Sequence, residues 1–128
     1  MENIDIIRAH YVASDHKDIA GMLSPLSEQA EWTEMAGFPC AGTYIGPDAV
    51  LKNVFQVLGR EWHDYKFTLE RLIDGGASII GVGTYTGIYK KTGKSMGARV
   101  VHVWELEDQK VRKFEQFTDT LLVHQAMQ

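Results

Sequence analysis

The chain has 128 residues, 45% of them apolar and 23% charged, and its 13 basic against 17 acidic residues leave a formal charge of -4. That length suits one domain with one core, residues 1–128. The mild acidity argues against a nucleic-acid partner, which needs a clustered basic face, and no stretch approaches the length that spans a bilayer. Cys40 is the only cysteine, so no intrachain disulfide forms. With Met1-Glu2-Asn3 lacking a signal-peptide pattern, a cytoplasmic protein is expected.

Ile4, Ile7 and Tyr11 fall at helical spacing with Asn3 as cap, which predicts an amphipathic helix over 3–14 with Tyr11 facing inward. Asp15 is expected to cap a short second helix carrying Ile19, Met22 and Leu23, stopped by Pro25. A strand follows around 29–35, where Ala30, Trp32 and Glu34 share one face by alternation. Gly46-Pro47-Asp48 opens a third helix whose stripe is Val50, Leu51, Val54, Phe55 and Leu58, with Gly59 near its end.

From there the pattern becomes long alternating segments, 63–73, 77–90, 95–107 and 110–119. Short turns join them: Asp74-Gly75-Gly76, Lys91-Thr92-Gly93-Lys94 and Glu107-Asp108-Gln109. Such connections make a meander of antiparallel neighbours, and strands this long must twist. Gly81, Gly83 and Gly87 lie on one face, where missing side chains permit a bend or leave room. The expected fold is α+β, a cone-shaped barrel of long, strongly curved antiparallel sheet wrapped around N-terminal helices. Both faces of the middle strands are apolar: Ala98, Val100, His102, Trp104 and Leu106 on one side, Val101 and Val103 on the other. A sheet exposed to water would be polar outside, so a homodimer through the convex face is expected.

His102 carries the strongest functional signal, because an ionisable ring at an apolar position costs free energy unless it is hydrogen-bonded. Tyr11, Glu34, His102 and Asp119, with Gln116, converge under this layout. Proton transfer beside a carbonyl needs a base in a dry pocket and donors aimed at the developing oxyanion. Glu34 beside Trp32, or Asp119, suits the base; Tyr11 and His102 suit the donors. Trp32, Tyr44, Phe55, Tyr85, Trp104 and Phe114 are candidate walls, with Gln116 a polar contact. Structural readings stand beside these. Tyr11 and His102 fit a satisfied core, Glu34 fits the open end of a strand, and Asp119 fits a helix cap, its parity differing from Gln116 unless a bulge intervenes. His10, His16, His63 and His124 read as surface or helix-end residues. No close-spaced ligand pair supports a metal, the Gly81-x-Gly83-x-x-x-Gly87 spacing is not a dinucleotide fingerprint, and no cofactor is called for.

Four segments together resemble the ketosteroid-isomerase-like group of the nuclear-transport-factor-2-like superfamily, close to the SnoaL-like polyketide cyclases. They are Tyr11-Val12-Ala13; Glu31-Trp32-Thr33-Glu34; Gly42-Thr43-Tyr44-Ile45-Gly46-Pro47-Asp48-Ala49-Val50; and His102-Val103-Trp104 through Lys110-Val111 to Phe114-Glu115-Gln116-Phe117-Thr118-Asp119. The resemblance implies that Tyr11 matches the isomerase's oxyanion tyrosine and Glu34 its aspartate base. Its second oxyanion donor falls on His102 with a one-residue gap and on Val101 without it. The cyclase relatives imply acid/base roles for His102 and Asp119. Gln109 stands where the family commonly has a hairpin glycine. Two functions follow: a cofactor-free isomerase- or cyclase-like enzyme acting on a hydrophobic carbonyl compound, or a non-catalytic ligand-binding or dimeric interaction module of the same fold. A filled core would leave only a scaffold.

Overall fold

The computed structural model describes residues 1–128. Helix α1 spans Asn3–Asp15 and α2 spans Ile19–Leu23. Glu2, not Asn3, stands at the α1 cap, its N–H bonded to the Asp5 carboxylate, while the Asn3 amide reaches the Gly76 carbonyl. Asp18, not Asp15, caps α2 by accepting from the Gly21 N–H. The shift follows from Lys17, whose left-handed φ of 56° turns the chain between the two helices.

Strand β1 (Leu26–Glu34) starts earlier than the alternation predicts and pairs with a short β2 (Gly42–Ile45). One continuous rod follows: α3 (Pro47–Val50), a π turn over Leu51–Phe55, and α4 (Gln56–Glu61). Pro47 sits in its first turn, as the Gly-Pro-Asp signal predicts. The four long strands are β3 (Trp62–Gly75), β4 (Ser78–Tyr89), β5 (Ser95–Glu107) and β6 (Lys110–Thr118), and α5 (Thr120–Met127) closes the chain.

The six strands form one sheet in the order β2-β1-β6-β5-β4-β3. The meander is antiparallel throughout, and the single parallel pairing, β1 with β6, makes the sheet mixed. The sheet curls into the expected cone over the helices but does not close into a barrel. On β5 every second residue from Met96 to Leu106 is buried, so the alternation read from the sequence is the real inward face.

The inward glycines leave room. A Cβ on Gly81 would collide with the Tyr11 hydroxyl, and one on Gly83 with the Thr68 carbonyl and the Phe67 ring. Gly97, on the exposed face of β5, has nothing near it. Gly83→Ala should therefore cost about 1–3 kcal/mol, as overpacking does, whereas Gly97→Ala should leave stability unchanged within ~0.5 kcal/mol. Urea unfolding of the two variants checks this. The β5–β6 hairpin turns on Asp108 and Gln109, both at positive φ (52° and 64°). A turn with two left-handed positions favours glycine, so Gln109→Gly should raise stability by about 1 kcal/mol in the same assay.

Candidate functional site

Two lateral rows of side chains cross the inner face of the sheet, and register sets both. Trp32, Phe114 and Trp104 are paired neighbours across β1, β6 and β5, and Trp32 stacks on Phe114 with ring centroids 3.7 Å apart. The adjacent row runs Glu34, Gln116, His102, Gly81 across β1, β6, β5 and β4. One row is aromatic and the other polar until Gly81, whose missing side chain admits the Tyr11 hydroxyl from α1.

The rows face a cavity of about 360 Å³, within the ~300–1,000 Å³ range of small-molecule sites. Its walls are mostly apolar and aromatic, including Trp32, Phe55, Trp62, Phe67 and Phe114. Ser14, Lys17 and Asp64 also line it; Lys17 and Asp64 are both exposed and both at positive φ.

The polar groups form one chain. The Trp104 indole N–H donates to the Tyr11 hydroxyl at 2.9 Å, and that hydroxyl lies 2.8 Å from His102 Nδ1. His102 Nε2 lies 2.8 Å from the Tyr85 hydroxyl, which also accepts from Gln116 Nε2 at 3.2 Å. Gln116 is oriented by its own oxygen, which accepts the Met35 N–H at 3.3 Å. Burial, reinforced by His10, pushes the His102 imidazole down to about 3, so the ring is neutral at ordinary pH. Burial likewise raises the Tyr11 and Tyr85 phenols, which keep their protons.

Glu34 differs from the rest. Its carboxyl is buried with no cation beside it; Oε1 accepts a long 3.5 Å bond from the Trp32 indole and Oε2 has no partner. Desolvation pushes it up to about 8, the Trp32 bond opposing only weakly. Glu34 is the register neighbour of Gln116, Gln116 bonds Tyr85, and Tyr65 packs beside Tyr85, so the three lie at one end of the cavity. The Tyr65 hydroxyl is buried and unpartnered, its ring 5.3 Å from that of Tyr85. An acid poised near neutrality among hydroxyl donors in an apolar cavity is equipped to move a proton on a bound organic molecule.

Tyr11, Glu34, His102, Trp32, Phe55, Tyr85 and Phe114 therefore line the cavity. Trp104 is fully buried behind it, and Gln116 reaches it only through Tyr85. Four expectations are corrected: Trp104 and Gln116 do not line the cavity, and neither do Asp119 and Tyr44. Asp119 is exposed and caps α5 by accepting from the Leu122 N–H at 3.2 Å; no bulge reverses its parity, so it points away from Gln116's side. Tyr44 is no wall, because its hydroxyl folds back onto the Cys40 and Ala41 carbonyls at 2.9 and 3.2 Å.

His10, expected at the surface, is buried in the cavity wall with Nδ1 2.9 Å from the Met22 carbonyl, and burial pushes it down to about 4. Its spacing of three from Ile7 was the available signal. Tyr65 had none: a bulge between His63 and Lys66, with Asp64 at positive φ, turns it inward. No group of three or more His, Cys, Asp or Glu side chains is placed to hold a metal ion, and no helix is long and apolar enough to cross a membrane.

Comparison with known proteins matches residues 7–114 to the SnoaL-like domain. An NTF2-like protein from Burkholderia thailandensis E264 is 53% identical over 100% of this chain and 98% of its own, with a TM-score of 0.99. TerC, co-crystallised with polyporic acid, is 24% identical over 98% of this chain and 97% of its own, with a TM-score of 0.85. A protein of ketosteroid-isomerase-like fold from Catenulispora acidiphila DSM 44928, in complex with trimethylamine, shares the fold at 10% identity, covering 95% and 92% of the two chains with a TM-score of 0.80. No protein of curated function matches. The domain match and the 53% relative together show that this chain belongs to the SnoaL-like family and folds as an NTF2-like cone.

Proposed function

We propose that the protein is a cofactor-free acid/base enzyme, isomerase- or cyclase-like, in which Glu34 moves a proton on a hydrophobic carbonyl compound. The observation that carries the reading is Glu34 Oε2, a buried carboxyl oxygen with no protein partner at the wall of an apolar cavity. Family membership supports the class, and TerC, co-crystallised with polyporic acid, gives a relative of this fold studied with a small organic ligand. In the proposed step the Glu34 carboxylate takes a proton from the carbon next to the carbonyl. The C–H electron pair becomes the C=C bond of an enolate, the carbonyl π pair moves to oxygen, and the carboxylic acid returns the proton to carbon. The single buried cysteine, Cys40, fits the reducing cytoplasm in which the protein is expected to work.

The outer face of the cone supports a homodimer as its working form. Register sets Ile73 beside Ile80, Ile80 beside Val103, Val82 beside Val101 and Val101 beside Phe117, all facing outward, and Ile73 and Phe117 are 40% and 45% exposed. The Arg99–Glu70 ion pair lies beside this strip, so both signs of charge border it and a second copy meets no uniform like-charge field. Phe117→Glu should convert a dimer into a folded monomer in light scattering; a wild-type mass that stays monomeric at every concentration would contradict the dimer.

A second reading, binding without turnover, draws on the same carboxyl: with a value near 8 it is roughly nine-tenths protonated at pH 7 and acts there as a hydrogen-bond donor. Hydrogen–deuterium exchange at the α-carbon of apolar cyclic ketones, followed by NMR, separates the two. The enzyme reading expects exchange that rises about tenfold per pH unit below about 8 and levels above it, with Glu34→Gln slower by about 100-fold or more. Saturable ketone binding with no exchange at any pH would select the binding reading. The same group shapes stability. In the unfolded chain Glu34 ionises near 4.5 and in the folded one near 8, so its contribution is full below pH 4.5 and is lost as pH rises through 8. Wild type should therefore lose stability relative to Glu34→Gln across that window and run parallel to it outside. His10 and His102 act in the opposite sense: their contribution is full above 6.5 and is lost as pH falls through about 4 and 3.

A further inference from the structure

His102 is shared by two tyrosines, and each tyrosine already accepts one N–H: Tyr11 from the Trp104 indole, Tyr85 from the Gln116 amide. A neutral imidazole has one N–H and one lone-pair nitrogen. It must donate to one tyrosine and accept the hydroxyl hydrogen of the other. The tyrosine that receives the imidazole N–H is left with two N–H donors on its oxygen and its own hydrogen unspent.

The surroundings decide which one that is. If the proton sat on Nδ1, Tyr11 would hold the unspent hydrogen, on the side of the cavity walled by the rings of Phe67 and Trp104. A buried donor left without an acceptor is costly. If the proton sits on Nε2, the unspent hydrogen belongs to Tyr85. Its neighbours are the unpartnered Tyr65 hydroxyl and the end of the cavity that holds Glu34. The second arrangement aims the spare hydrogen at the polar end of the cavity, where a ligand oxygen can accept it.

The geometry points to Tyr85, aided by Tyr65, as the donor that holds the ligand's carbonyl oxygen, with His102 fixed in the Nε2–H form as the residue that positions it. This rests on the proposed acid/base reading and deepens it. Tyr11, which the family resemblance implies as the donor, here spends its hydrogen on His102 Nδ1 and becomes part of the support. Two N–H groups on the Tyr85 oxygen polarise its O–H bond and strengthen it as a donor when negative charge builds on the ligand. Gln116 is the second positioning residue, its amide set by the Met35 N–H. The preferred ligand is a neutral, flat, largely apolar molecule with one enolisable carbonyl and no anionic group at the deep end, since every polar group there is a neutral donor or the acid Glu34.

Nitrogen-15 NMR of the His102 ring tests the assignment without any ligand. The expected spectrum has a protonated Nε2 and a bare Nδ1, unchanged from pH 5 to 9; an Nδ1–H ring or an imidazolium would overturn it. The probe for the donor is 2-naphthol, a flat stand-in for an enol. Its affinity should fall about tenfold or more in Tyr85→Phe and by less in Tyr11→Phe, which loses a support of His102 but not the donor itself. In Gln116→Leu the His102 shifts should persist while naphthol affinity drops at least threefold, which a merely structural glutamine would not produce in a variant of unchanged melting temperature. The reverse ordering of the two tyrosine variants, or a wild type that binds no naphthol, would overturn the donor assignment. Ketone exchange by Glu34 is measured separately, so the two ideas fail independently.

Discussion

A carboxyl group taken out of water with no cation to meet it is the constraint around which this molecule is arranged. Ionised Glu34 would face an apolar cavity, and desolvation of charge is among the costliest events in folding. The chain meets it with one long bond from the Trp32 indole and leaves Oε2 unpaired, while the two histidines of the cavity wall stay uncharged. The whole inner end of the cone is polar without carrying net charge. Such an interior suits the neutral organic ligand proposed above.

The supporting architecture is a matter of register. Antiparallel pairing of β4, β5 and β6, with the parallel join to β1, brings Glu34, Gln116, His102 and Gly81 into one line across the sheet. A single-residue slip on any of these strands would move its member of the row to the outer face. The aromatic row beside it, Trp32, Phe114 and Trp104, anchors that register, with Trp104 and Phe114 among the largest fully buried side chains. Gly81 then admits a hydroxyl from helix α1, which ties the helical layer to the polar row through a hydrogen bond as well as through packing.

Much of this was legible in the residues. Period-two alternation placed His102 and Trp104 inward and marked the ends of the four long strands to within two residues, because buried and exposed faces must alternate on a sheet. The inward glycines were readable as space. What failed depended on information outside local pattern. Asp119 lies one step out of phase with Gln116, and only the absence of a bulge decided its direction. Tyr65 faces the cavity because a bulge at Asp64 breaks the phase of β3, which no composition rule announces. His10 was masked by being polar on an otherwise apolar helix face. The sharing of His102 between Tyr11 and Tyr85 joins residues 91 and 17 positions apart, and that pairing is visible only once the sheet and α1 are docked.

The most direct test of the account is a carbon-13 NMR titration of the Glu34 side-chain carboxyl in the folded protein. The account predicts a midpoint near 8, shifted by burial away from the ordinary glutamate value of 4.5. A midpoint close to 4.5 would mean that water or a cation reaches the carboxylate, and the burial of Glu34 at an uncharged deep end of the cavity would be contradicted.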